Sequence, residues 1–114
     1  MSRSPRSLMT PAELHILLSF ADGPRHGYAV QQDVEARTEG GLVLGPGTLY
    51  EAIHRMLARG WLLEAPDSKQ GRRKAYRLSD DGALELRREL GRLDRVVAWA
   101  RSRNLLDTSA GGAS

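Results

Sequence analysis

Between Lys69 and Arg77 the chain sets five cations, Lys69, Arg72, Arg73, Lys74 and Arg77, within nine residues and no acid among them. Arginine donates from a planar fork that fits phosphate oxygens and the edge of guanine, and lysine adds a point charge, so this composition suits a polyanion built of phosphates. A second segment, Gly45-Pro46-Gly47-Thr48-Leu49-Tyr50, opens a helix. Its glycines let the backbone approach an anion closely, the helix N-terminus carries partial positive charge, and Thr48 offers a hydroxyl at the same place. Each piece has a plainer explanation on its own, a turn that starts a core helix in one case and a solvated charged loop in the other. Their order, a helix start and then a basic hairpin, points to double-stranded DNA as the partner.

Other chemistry finds little support. His15, His26 and His54 are far apart and share no metal-ligand spacing with Asp or Glu, so neither a metal nor a cofactor is expected. No nucleophile elbow, phosphate loop or close carboxylate pair is present, and no catalytic residue is assigned. A chain of 114 residues, 27% charged and 40% hydrophobic, buries one core and leaves no room for an ordinary catalytic cleft. Without cysteine there is no disulfide framework, which makes the cytoplasm the default compartment. Met1 to Ser7 is basic and serine-rich, and no run reaches the ~20 apolar residues of a membrane span. Association with a membrane is not expected.

The elements that must position these residues follow from local signals. Thr10-Pro11-Ala12-Glu13 is a capping box with proline at the first helical position; it predicts a helix to about Ala21 with Leu14, Leu17, Leu18 and Ala21 as its buried stripe. Asp22-Gly23-Pro24 stops that helix, and a second runs from about His26 to Thr38, ended by Gly40-Gly41. Leu42-Val43-Leu44 predicts a very short strand. The third helix spans about Pro46 to Arg59 and stops at Gly60; Trp61 to Glu64 and Ala75 to Leu78 then predict a hairpin, or wing, turning near Gln70-Gly71.

On a helical wheel the third helix turns Leu49, Ile53, Met56 and Leu57 to one side and Thr48, Glu51, His54, Arg55 and Ala58 to the other. The second set would face a major groove, with Tyr50 and Arg59 on opposite flanks within reach of phosphates. Glu51 counts against this, since a carboxylate there is repelled by phosphate unless it accepts from a cytosine amine. The DNA-binding candidates are therefore Gly47, Thr48, Tyr50, His54, Arg55 and Arg59 on the helix, and Arg72, Arg73 and Lys74 on the wing. A last helix, capped by Ser79-Asp80-Asp81, is expected to run to about Leu106. Its apolar residues Ala83, Leu86, Leu90, Leu93, Val97 and Ala100 recur in steps of three and four, a seam for pairing with a second copy. The candidate dimerisation residues are Leu86, Leu90, Leu93, Val97 and Ala100. Gly91 weakens the helix unless another helix approaches closely there. Trp61 suits core packing; Trp99, beside the seam, suits interface packing or the stacking of a planar aromatic effector.

Leu8-Met9-Thr10-Pro11, Asp22-Gly23-Pro24-Arg25-His26-Gly27-Tyr28-Ala29-Val30, Gly45 to Tyr50 and Gly60-Trp61-Leu62, taken together at this spacing, strongly resemble the PadR-like transcriptional regulators over about Leu8 to Gly82. The single last helix resembles the short branch of that family. The resemblance implies winged-helix dimers, mostly repressors, whose helix matching Thr48 to Arg59 enters the major groove and whose last helices form the dimer. It also implies release from DNA by phenolic acids or planar drugs in some members, with Trp99 the residue to watch. The expectation is thus a mainly α chain with a small β-hairpin: a winged helix-turn-helix DNA-binding domain over residues 8–79, a dimerisation helix over 80–106 and a disordered tail over 107–114. The expected function is sequence-specific regulation of transcription from a palindromic operator by a homodimer. The rival from another class is a winged-helix module that binds a different protein through its last helix.

Overall fold

A computed structural model of the chain describes residues 9–65 and 74–106. The expected tail and the wing residues Lys69, Arg72 and Arg73 lie outside the described residues. The first helix, α1 (Pro11–Leu18), begins as its capping box requires: Glu13 N–H donates to Thr10 Oγ1, and Thr10 N–H donates to the Glu13 carboxylate, both over 3.1 Å. It ends at Leu18 rather than Ala21, because the chain tightens into turns there. The buried set shifts accordingly to Ile16, Leu17 and Phe20, with Leu14 and Leu18 half-covered and Ala21 exposed.

A two-residue strand, β1 (Arg25–His26), leads directly into α2 (Gly27–Arg37). The expected strand at Leu42 to Leu44 does not form. Those residues are held in the α2 to α3 connection instead: Leu42 N–H donates to the Thr38 hydroxyl over 3.0 Å, and the Leu44 carbonyl accepts from Gln31 Nε2 over 2.6 Å. Both of these backbone groups are thus bonded to side chains of α2 and its C-terminal cap rather than to a strand. Helix α3 (Pro46–Ala58) starts behind Gly45 and closes in a Schellman motif. Gly60 takes a φ of 80°, its N–H donates to the Leu57 carbonyl, and Trp61 N–H donates to Met56 over 2.9 Å. Glycine takes that left-handed conformation without the strain a side chain would add.

The strands β2 (Leu62–Glu64) and β3 (Ala75–Leu78) form the expected antiparallel hairpin. β1 adds to the free edge of β3, pairing Arg25 with Tyr76 and His26 with Ala75, so the sheet has three strands in the order β1-β3-β2. Two-residue strands carry too short a pattern to be read from sequence. The last helix, α4 (Asp80–Ser102), is capped by Ser79, whose hydroxyl accepts from Gly82 N–H over 2.9 Å. It stops before Leu106 because Asn104 turns to a φ of 62° and Leu105 N–H donates back to Ala100, a second Schellman closure. Ile16, Leu17, Val30, Val34, Leu49, Ile53, Met56 and Leu62 are fully buried and form one core shared by α1, α2, α3 and β2. Leu86 joins that core at 6% exposure, so the first turns of α4 belong to the body of the protomer.

Candidate nucleic-acid interface

Helix α3 buries Leu49, Ala52, Ile53 and Met56 and leaves Gly47, Thr48, Glu51, His54, Arg55 and Ala58 exposed, the two faces that its sequence predicts. Leu57 is half-covered between them. A Cβ added at Gly45 or Gly47 would meet nothing within 4 Å, so the backbone at the start of α3 is bare toward solvent. Both flanks of this face are tied down.

On one flank the Glu13 carboxylate, 3% exposed, accepts from Arg55 over 3.5 Å and from Arg59 over 3.3 Å. The two guanidinium side chains remain 50% and 41% exposed. Arg59 also lies over the Trp61 ring, 4.8 Å from its centroid, a cation–π contact. On the other flank the Tyr50 phenol packs onto the first turn of α2, where Gly27 leaves no Cβ in its way. Tyr50 and Glu64 surround Tyr76, whose phenol is pushed above its ordinary pKa first by burial and then by these two neighbours. Tyr50 thus serves the packing of α2 on α3 while staying partly exposed.

On the wing, Lys74 is exposed and reaches Glu64 over 3.4 Å, and Arg77 is exposed opposite Leu63. His54 stands on the exposed face of α3, whereas His26 is in β1 and His15 is in α1, so the three histidines do not converge. No cluster of His, Cys, Asp or Glu able to hold a metal occurs among the described residues. Burial and the Arg37 guanidinium beside it hold the His15 ring below its ordinary pKa. Along α4, Leu93 and Ala100 are half-covered, while Leu90, Val97 and Trp99 are exposed at 38%, 40% and 57%. Arg103 lies over the Trp99 ring at 4.7 Å. Glu89, nearly covered, is bonded by Arg92 over 2.7 Å and 3.1 Å; that bond, against the opposing effect of burial, holds its carboxyl below the usual range.

Glu13 is the residue that sequence reasoning missed in this region. Its capping role was legible, but its pairing with arginines 42 and 46 positions away was not. A carboxylate on an otherwise apolar helix face is the only local sign that a cation must meet it.

The family model described as "Transcriptional regulator PadR-like family" matches residues 14–88. "Transcriptional regulator Rv3488" of Mycobacterium tuberculosis is 37% identical over 93 residues, which are 78% of this chain and 84% of that protein. A 37.1 kDa protein in transposon TN4556 of Streptomyces fradiae is 36% identical over 85 residues, 75% of this chain; the chain spans only 24% of that relative's length. The crystal structure of a PadR family transcription regulator from Clostridium difficile R20291 superposes with a TM-score of 0.63 at 20% identity, over 78% of this chain and 95% of that one. No helix among the described residues is long and apolar enough to cross a membrane.

Proposed function

The chain belongs to the PadR-like family of transcriptional regulators, and from that premise we propose that it is a homodimeric repressor that binds a palindromic operator in double-stranded DNA. The observation that carries this reading is the exposed face of α3: Thr48, Glu51 and His54 point outward, with Arg55 and Arg59 on one flank and the bare backbone of Gly47 at its start. A single exposed helix face of this kind suits a major groove, and the half-exposed guanidinia on its flank would meet the phosphates along the rim. Lys74 with Arg72 and Arg73, the last two outside the described residues, adds the wing's positive charge beside the flanking backbone.

Two copies joined through Leu90, Leu93, Val97 and Ala100 of α4 would set their α3 helices in successive grooves, about 34–36 Å apart. Leu86 has little surface left for that seam, since it packs in the protomer's own core. Repression follows from occupying DNA that polymerase needs. An aromatic effector stacking on the exposed Trp99 ring, where Arg103 already lies, would act by favouring a dimer spacing that no longer fits the operator.

The test is a gel-shift on the DNA upstream of the protein's own gene. Operator binding predicts a shift that resists competitor DNA and weakens ~10³-fold or more between about 50 and 200 mM salt. Arg72→Ala and Arg73→Ala should weaken binding to every sequence and flatten the salt dependence. Salt-independent retention, or none on any duplex, would transfer the assignment to the protein-binding module.

A further inference from the structure

We infer that Glu13 is a positioning residue that sets DNA specificity, by holding Arg55 and Arg59 to the body of the protein and so denying them to phosphates of arbitrary sequence; the inference rests on the DNA-binding reading above. One Glu13 oxygen accepts from both guanidinia, over 3.5 Å and 3.3 Å, and the other accepts from Thr10 N–H over 3.1 Å. The carboxylate is therefore anchored in the first turn of α1, where the helix dipole favours a negative charge. At 3% exposure it cannot release its cations to solvent without becoming an uncompensated buried charge, which is strongly unfavourable. Phosphates must compete with it.

The three side chains sum to one positive charge. Without the carboxylate, two guanidinia four positions apart on α3 would repel each other, and an incoming phosphate would be the nearest anion able to relieve them. Arg59 has a second tie in the Trp61 ring, so the restraint on Arg55 rests more on Glu13 alone. In the wild type one nitrogen of each guanidinium is engaged by Glu13 while the side chains stay 50% and 41% exposed, so the remaining N–H groups engage a duplex from a held position.

Glu13→Gln tests this, because glutamine still serves at the third position of a capping box while removing the charge. Binding to a random-sequence duplex and to the upstream DNA is measured by fluorescence anisotropy across a salt series, with thermal melts to verify folding. The variant should bind random duplex more tightly, steepen its log–log salt slope by about 1–2, at 0.9 per phosphate gained, and lower the ratio of upstream to random affinity. Placed in an Arg55→Ala/Arg59→Ala background, Glu13→Gln should leave the slope where it is. An unchanged slope in folded Glu13→Gln, or weaker binding to random duplex, overturns the inference. Should that variant fail to fold, Arg55→Gln decides. A restrained arginine flattens the wild-type slope on random duplex by well under 0.9, whereas a loss of the full 0.9 would mean that Arg55 was free and the inference wrong. A wild-type chain that binds no duplex defeats the DNA-binding reading itself, an outcome distinct from binding with the wrong slope.

Discussion

At the scale of single residues, polar side chains lock α1 to α2 as well as to α3. Arg37 donates to Asp33 over 2.6 Å and to the His15 carbonyl over 2.7 Å, and its Nε donates to His15 Nδ1 over 3.4 Å. That last bond needs an unprotonated Nδ1, which agrees with the lowered pKa of the ring. The unfolded histidine therefore protonates first as the pH falls. Its contribution to stability is complete above about pH 6.5 and is lost as the pH drops below that toward the folded pKa. Glu89, also lowered, loses its contribution only below about pH 4.3. Urea unfolding at pH 7.5 and 5.5 should then show a drop in stability that His15→Gln reduces, because glutamine still offers an acceptor to Arg37. An identical drop in the variant would assign the acid sensitivity to other groups. The Asp33–Arg37 pair has the i,i+4 spacing of one helix, but the meeting of Arg37 with His15 was not legible from sequence, because those residues belong to two separate helices.

At the scale of elements, α4 contains two glycines with opposite demands. Gly82 lies against the Trp61 backbone so closely that a Cβ would overlap the Trp61 carbonyl oxygen, and Ser79 N–H donates to that same oxygen over 3.0 Å. Backbone cannot step aside as a side-chain tip can. Gly82→Ala should cost about 1–3 kcal/mol, read from chemical denaturation. Gly91 is different, since a Cβ there would meet only the Arg95 guanidinium, at 3.8 Å. Gly91→Ala should stabilise the chain by up to about 1 kcal/mol through helix propensity. A loss at Gly91 would instead reveal a second helix packed against that position. The side-chain caps that start α1 and α4 were legible, because a cap is made within a few residues; the tight seat of Gly82 on the α3 to β2 corner was not, because it joins segments about twenty residues apart.

At the scale of the whole molecule, α4 extends beyond the core that covers its first turns. Leu86 is buried, whereas Leu90 and Val97 on the same face are exposed, with Leu93 half-covered between them, which leaves an apolar stripe on the single chain. With a length of about 35 Å at 1.5 Å per residue, the helix has a far half that, in the proposed dimer, would meet a second copy. Val97→Glu would place a charge in that stripe. Sedimentation velocity should find the wild type at twice the protomer mass and the variant at the protomer mass, and operator binding should weaken in parallel because one protomer grips only a half-site. A Val97→Glu chain that sediments as the wild type does would move the interface elsewhere.

The sequence by itself determined the four helices, the side-chain caps that start α1 and α4, the Gly60 stop of α3, the β2 to β3 hairpin and the two faces of α3, because each of these depends on the period and end signals of a short stretch; the ends of α1 and α4 came earlier than those signals gave. The family was legible for the same reason: its motifs are local runs at Gly27, Gly45 to Tyr50 and Gly60 to Leu62. Only the tertiary structure decided that β1 completes the sheet, that Leu86 lies inside the protomer, and that Glu13 meets Arg55 and Arg59. Those are encounters between residues distant in the chain, brought together when the shared core closes and a buried carboxylate must find its cations.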